Sequence, residues 1–367
     1  MEQNNSGRNN PKVTVLMPSL NVVAYIRECM DSVLCQKLDS LEIICIDAGS
    51  TDGTLEILRE YEQKDSRVRV LISERKSYGY QMNLGLAEAQ GEYIGIVETD
   101  DLIPPEMYWD LYKVATDNHL DFVKADFYRF ITDSGGNKEL TLNSLSTDEE
   151  DYNKVFNPSE TSSALRFTMN TWSGIYRREF LQQNHILHNE TAGASFQDNG
   201  FWVQTFVFAK RAMILNKPYY LNRRDNPGSS VHSTEKVYAM NIEYDFIRDI
   251  LMENPERWER FKDMYYYKKY HSYRFSLQRI GEEYKEEFMD RFSREFRRAM
   301  QKGELSESVF SVKEWNDIHI LIRNPKEFRK IQENTQESQK RTLLRRIKKR
   351  IPQTLKNAIK KAIGRAG

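Results

Sequence analysis

EIICIDAGSTDGT (residues 42–54) is the stretch that decides the fold. Its first six residues are an apolar, β-branched run that stops on Asp47, and the next seven supply Gly, Ser, Thr and Asp for a tight turn into a helix. That helix is predicted from Thr54 to Lys64. Leu55, Ile57, Leu58 and Tyr61 make its apolar face, Glu56, Arg59, Glu60 and Lys64 its solvated face, and Ser50, Thr51 and Asp52 are candidates to cap it. Outward from this unit, strands are predicted at Lys12 to Met17, Leu41 to Asp47, Val68 to Ile72, Tyr93 to Val97 and Asp121 to Ala125, with helical patterns between them. Repeated βαβ units build a mostly parallel sheet flanked by helices, so the fold class is α/β.

Residues 133–162 are rich in Ser, Thr, Asn, Gly and Asp and read as a loop or irregular excursion. Regular patterning resumes at Asn170 to Tyr176. Helices are expected near Arg178 to Asn184 and from Asp198 to Lys210, and two short strands at Ala212 to Leu215 and Tyr219 to Arg223. From about Thr234 to Ile331 the chain turns helical, aromatic and charged, as in YYYKKYHSYRFSLQRI (residues 265–280). No internal repeat is visible.

With 39% hydrophobic and 29% charged residues over 367 positions, the chain reads as globular, neither disordered nor membrane-spanning. No apolar run reaches the roughly 20 residues that a bilayer demands, and residues 1–10 lack the apolar core of a signal peptide. A cytoplasmic location is expected. Cys29, Cys35 and Cys45 have neither zinc-site spacing nor a disulfide framework, and are expected to be reduced and mostly buried.

In an open parallel sheet, ligands bind beyond the carboxyl ends of the strands. Those positions hold Pro18, Ser19 and Asn21, then Asp47 with Asp52, then Glu98, Asp100 and Asp101. Carboxylates gathered on one rim repel one another unless a cation sits among them, which points to a divalent metal. Neither GxGxxG nor GxxxxGK[ST] occurs, so no glycine loop is available to cradle phosphate. Phosphate would need a metal bridge, and oxygen ligands suit Mg²⁺ or Mn²⁺.

PKVTVLMPSLNVVAYIRECMDSVLCQ (residues 11–36), EIICIDAGSTDGT, GYQMNLGLAEAQG (79–91) and EYIGIVETDD (92–101), in that order, resemble the family 2 glycosyltransferases of the GT-A fold. The resemblance is strong from Pro11 to Asp126 and looser to Ser233. It implies that Asp47 contacts the nucleotide base, that Pro18 and Ser19 lie against the nucleoside, and that Asn83 and Gly85 line the donor site. ETDD is similar to the family's DxD metal motif, with Glu98 in place of the commoner first aspartate. The resemblance assigns Asp100 to the metal and Glu98 to the ribose or the metal's water shell. NETAGASFQDNGFW (residues 189–202) is similar to the stretch that carries the catalytic base. The acidic pair there is Gln197 and Asp198, so Asp198 is the base, with a helix N-cap as its alternative or additional role.

Trp172 resembles the aromatic position beneath an acceptor sugar, and a buried core tryptophan is the competing reading. His232 follows the last strand and would complete the metal shell, contact diphosphate, or be an ordinary loop histidine. Arg223 and Arg224 either approach phosphate or sit solvated. The implied reaction is inverting transfer of a sugar from a nucleotide diphosphate, a UDP-sugar, to an acceptor hydroxyl of a surface polysaccharide or glycolipid. Two rival readings are a sugar-nucleotide nucleotidyltransferase, which would release pyrophosphate, and a non-catalytic nucleotide-binding scaffold.

Charge is segregated. Lys and Arg together number 54, as do Asp and Glu, yet eleven of the basic residues follow Glu337, the last acidic one. Leu343, Leu344, Ile347 and Ile351 share one face before Pro352, and Leu355, Ala358, Ile359, Ala362 and Ile363 another after it. This pattern suits an anionic membrane surface. No nucleic-acid module accompanies it, and a nucleic-acid partner is not expected. The expected organisation is a disordered start at 1–10, a GT-A domain at 11–233, a helical region at 234–337 and a basic amphipathic tail at 338–367.

Overall fold

The computed structural model describes residues 10–161, 164, 166–228 and 236–335. His232 and the basic tail lie outside the described residues. The elements run β1 (Val13–Ser19), α1 (Ile26–Leu34), β2 (Leu41–Asp47), α2 (Thr54–Lys64), β3 (Val68–Ile72), α3 (Tyr78–Glu88), β4 (Tyr93–Ile96), α4 (Met107–Asp117), β5 (Phe122–Thr132) and β6 (Lys138–Asn143). They continue with β7 (Gly174–Arg177), α5 (Arg178–Gln183), α6 (Gln197–Phe208), β8 (Ala212–Arg223), α7 (Ala239–Met252), α8 (Pro255–Leu277), α9 (Lys285–Gln301) and α10 (Val312–Arg323).

One mixed sheet follows the order β3-β2-β1-β4-β7-β5-β6, with β8 paired to β5. β1, β2, β3 and β4 are parallel, and their register sets Ser19 beside Asp47 and Asp47 beside Ile72. Their carboxyl ends therefore share one rim. The first two strands are buried along their whole length, as expected of strands covered on both faces. α1 turns Ile26, Cys29, Met30 and Val33 inward at helical spacing. α3 lies so close to the sheet that a Cβ on Gly85 would stand 3.0 Å from a Leu16 methyl and 3.1 Å from one of Ile46. Of the cysteines, Cys29 and Cys45 are buried, whereas Cys35 is exposed.

Two segments depart from the sequence reading. β5 runs on to Thr132 and hairpins with β6 inside the stretch expected to be irregular. Asp126 hides this continuity: its buried carboxylate accepts hydrogen bonds from Leu145 N–H and the Tyr152 hydroxyl, so a charge sits inside a strand. Likewise β8 is one strand through Lys217 and Pro218, paired in parallel with β5 across a bulge between Ala125 and Phe127.

The chain forms two compact units, 1–281 and 282–367. The division falls later than the 233/234 boundary read from composition because α7 and α8 build part of the first unit's core. Tyr244 of α7 meets Tyr265 and Tyr273 of α8 edge-on, and the α8 residue Lys268 lies over the ring of Trp202 in α6. In the second unit, Phe288, Phe292 and Phe296 give α9 a buried face, and Ser311 with Glu314 forms a reciprocal cap at the start of α10.

Candidate active site

The loops after β1 and β2 are laced together. Asp47 is fully buried, and its Oδ1 accepts from Gly49 and Ser50 N–H at 2.9 Å each while Oδ2 accepts from the Ser50 hydroxyl at 2.5 Å. Asn21 has a left-handed backbone, φ 53°, and its Oδ1 accepts from Thr51 N–H at 2.9 Å. Asp52 spans both loops, accepting from Val23 N–H at 3.0 Å and from the Thr54 hydroxyl at 2.7 Å. Burial works to raise the Asp52 carboxyl, but the Thr54 and Val23 hydrogen bonds together hold it below the usual aspartate range. Ser19 is buried, and the Pro18 carbonyl accepts from the Thr99 hydroxyl at 2.9 Å, which ties the end of β1 to the acidic turn after β4.

In that turn three carboxyl groups have different surroundings. Glu98, half-buried, accepts from the Tyr78 hydroxyl at 2.8 Å, and its N–H donates to the Tyr220 oxygen at 3.0 Å. Burial, reinforced by the charges of Asp101, Asp100 and Asp198, pushes Glu98 up to about 8 against the Tyr78 hydrogen bond. Asp101 is fully buried, accepts from Arg223 N–H at 2.6 Å and the Asn222 amide at 3.0 Å, and is pushed up to about 8 by burial and then by Asp100. Asp100 is half-buried and accepts from the Asn226 amide at 2.7 Å.

Asp198 joins this group from α6. That helix starts from Phe196, which has a left-handed backbone at φ 67°, so Asp198 is the second helical residue and does not cap the helix. Burial raises its carboxyl, opposed by the N–H groups of Asp198 and Asn199, and its charge is felt by both Tyr78 and Glu98. Gln197 is occupied elsewhere: its amide donates to the Thr191 hydroxyl at 2.9 Å and the Gly193 carbonyl at 3.0 Å, fixing the preceding loop. Gly193 in turn exchanges hydrogen bonds with Lys76 and Tyr78, which brings that loop to the start of α3. Asn83 clamps the same wall, its amide donating to the His188 carbonyl at 2.9 Å and its oxygen accepting from His188 N–H at 2.8 Å. A Cβ on Gly79 would stand 1.9 Å from the Asn189 carbonyl, so α3 approaches this wall as closely as glycine allows.

Trp172 stacks on Tyr220 with ring centroids 4.2 Å apart and meets Phe127 edge-on at 4.7 Å. It is half-buried, so one part packs and another stays open. Of the two arginines considered, Arg223 is committed to structure: its Nη2 donates to Glu28 at 2.7 Å and its Nε to the Asp100 carbonyl at 2.8 Å. Arg224 is exposed.

Several contributors were not singled out from sequence. Tyr78 and Tyr220 position Glu98, and Asn226 holds Asp100. Glu243 of α7 accepts from Gly200 N–H at 2.8 Å and the Asn189 amide at 3.1 Å, and burial pushes it up to about 8. Lys124 is buried and donates to the Asn170 carbonyl at 2.7 Å, the Asn170 side chain at 2.8 Å and the Tyr176 hydroxyl at 3.2 Å, with burial lowering it to about 7. Tyr78 alone had a local signal, as the residue directly before the GYQMNLG motif.

No group of three or more His, Cys, Asp or Glu among the described residues is arranged to hold a metal by itself. A half-exposed Asp100 beside carboxyl groups raised by mutual repulsion still fits Mg²⁺ or Mn²⁺. Such ions take one or two carboxylates and fill their remaining positions with phosphate oxygens and water.

Comparison with known proteins bears on the family and the fold. The glycosyl transferase family 2 model matches residues 14–182. Glycosyltransferase GlyG of Streptococcus pneumoniae is 30% identical over 220 residues, which cover 58% of this chain and 70% of GlyG. The chain belongs to glycosyltransferase family 2. A second relative, EpsJ of Bacillus subtilis, named as an uncharacterized glycosyltransferase, is 32% identical over 221 residues, 60% of this chain. The match spans 62% of EpsJ, a little under two thirds. The fold is similar to that in a crystal structure of S. aureus TarS residues 1–349 in complex with UDP-GlcNAc, with a TM-score of 0.66 at 19% identity, covering 89% of this chain and 92% of that one.

Proposed function

We propose that this protein is an inverting glycosyltransferase that moves a sugar from a UDP-sugar to an acceptor hydroxyl of a surface polysaccharide or glycolipid. The observation that carries the reading is the convergence of Glu98, Asp100 and Asp101, from the turn after β4, with Asp198 from α6. Glu98 feels the charges of the other three, and carboxyl groups gathered in this way above a parallel rim suit a cation and a polyanion. The complex of TarS with UDP-GlcNAc supports UDP as the nucleotide.

In this reading the loops tied by Asp47, Asn21 and Asp52 seat the nucleoside beside Pro18 and Ser19. Asp100 would hold Mn²⁺ or Mg²⁺, with Glu98 directed at the ribose or the ion's water shell. A bound divalent ion supplies Lewis-acid neutralisation of the departing diphosphate. Asp198 accepts the proton of the attacking hydroxyl, and Trp172 gives the acceptor sugar an apolar face for its C–H groups. Attack from the side opposite the leaving diphosphate, with an external base, inverts the anomeric centre. The proposed setting is the cytoplasmic face of a membrane, engaged by the basic tail; among the described residues no helix is long and apolar enough to cross a bilayer.

The test is a panel of radiolabelled sugar nucleotides incubated with Mn²⁺ and the full chain. Release of nucleoside diphosphate from a UDP-sugar is expected, and chelation should stop it. Release of pyrophosphate would favour a nucleotidyltransferase, and binding without turnover of any donor would favour a scaffold.

A further inference from the structure

Three arginines near Trp172 have charges that nothing in the proposed reaction uses. The β5·β8 register pairs Phe127 with Tyr220 and Arg129 with Asn222, and Arg224 N–H donates to the Phe130 carbonyl at 2.9 Å. Strand alternation therefore sets Phe127 and Arg129 on the same face as Tyr220, Asn222 and Arg224. This is the face on which Trp172 stacks. Arg279, just beyond α8, lies over the ring of Phe275 at 4.8 Å, and Phe275 is 45% exposed and meets Phe196 edge-on at 6.4 Å. Phe196 begins the helix that carries Asp198. The arginines thus border the ground between the proposed acceptor platform and the proposed base.

Among the described residues their charges are uncompensated. Among the described residues none of the three guanidinium groups is ion-paired to a carboxylate, and Arg279 Nη1 is buried with no hydrogen-bond partner. Arg223, one residue from Arg224, shows the contrast, since it is paired with Glu28. After burial, the charge of Arg224 lowers both Arg129 and Arg279, so Arg224 stands near enough to repel each of the other two. Like charges held together without a counter-charge mark a site that an anion completes. One carboxylate brings a single charge and two oxygens. A phosphate monoester brings a charge of about −1.5 to −2 and three acceptor oxygens, a closer match to several guanidinium forks.

We propose that Arg129, Arg224 and Arg279 form an anion site for a phosphate group on the acceptor, so that the protein selects a phosphorylated acceptor over a neutral one. The proposal rests on the placement of the acceptor at Trp172 and adds the chemistry of that acceptor.

The test is isothermal titration of the full chain, with and without saturating UDP and Mn²⁺. The probes are one oligosaccharide in phosphorylated, uronate and neutral forms, and a short alkyl diphosphate to separate phosphate on the sugar from phosphate at a lipid end. At least one phosphate probe is expected to bind ten-fold or more tighter than the neutral and uronate oligosaccharides, with UDP present. Arg279→Gln, and separately the exposed pair Arg129→Gln with Arg224→Gln, should erase that margin while UDP affinity and melting temperature stay at the wild-type level. No phosphate preference, an equal affinity for the uronate, or a margin that survives in both variants would overturn it. So would a loss of UDP affinity in the variants, which would place the cluster on the donor. A chain that binds no sugar nucleotide yet keeps the margin would sink the transferase reading and leave the three-arginine phosphate site standing without its acceptor role.

Discussion

In the proposed reaction Asp198 is the residue on which the chemistry turns. Its carboxyl is raised by burial, so at the acid end of the pH range it holds a proton and cannot accept another. Transfer is therefore expected to fall as pH drops through a value above that of an ordinary aspartate, and Asp198→Asn should cost roughly 10² to 10⁴-fold in turnover with UDP affinity intact. Near-normal turnover in that variant, measured with saturating donor, would remove the assignment. A second residue makes a prediction about stability. His188 is stacked on Phe201 at 4.3 Å, and burial lowers it from 6.5 to about 3. A histidine that stays neutral in the fold contributes stability fully above its unfolded value and loses it as pH falls toward the folded one. The wild type should thus lose melting temperature between about pH 6.5 and 3 faster than His188→Phe does. Parallel curves for the two proteins would show that protonation of this ring does not weigh on the fold.

At the scale of elements, Lys124 of β5 fastens the segment that carries Trp172. Its ammonium supplies three hydrogen bonds, two to Asn170 and one to Tyr176, in a buried setting. Lys124→Met keeps the volume but strands the Asn170 carbonyl, at about 1–3 kcal/mol, and leaves the Asn170 side chain and the Tyr176 hydroxyl with only Ser173 and Thr171. A lower midpoint of urea unfolding and a higher acceptor KM are expected, and an unchanged midpoint would show that the segment is held by packing alone. The same strand shows where sequence reading stops. β1, β2 and β4 were legible because each is dominated by an apolar run, whereas Asp126 and Pro218 interrupt the patterns of β5 and β8 and concealed their length. In the site, Asp47, Glu98 and Asp100 were legible because a strand end is a local feature that chain order reveals. Tyr78 and Tyr220 were not, since the contacts that give them meaning reach across 20 and 122 residues to Glu98. Glu243 was likewise concealed, as one acid among many on a charged helix until its bond to Gly200 is seen.

For the whole molecule, the charge segregation makes a prediction independent of catalysis. Removing residues 338–367 takes away eleven basic side chains and no acidic ones. Each is worth on the order of 1 kcal/mol beside an anionic bilayer. The full chain is expected to float with liposomes containing anionic lipid and the chain ending at Glu337 to stay behind, with equal flotation counting against the membrane reading. The proposed donor, base and acceptor residues among those described all fall within the unit that ends at Gly281, so this truncation leaves them in place. Within that unit Tyr220 has a double attachment: its ring carries Trp172 and its hydroxyl oxygen receives the N–H of Glu98. In the proposed reading, one side chain on β8 thereby fixes the spacing between the acceptor platform and the donor-side turn. Surface loops are then free to diverge and change which sugar is handled, while the distance over which the new bond must form is inherited unaltered.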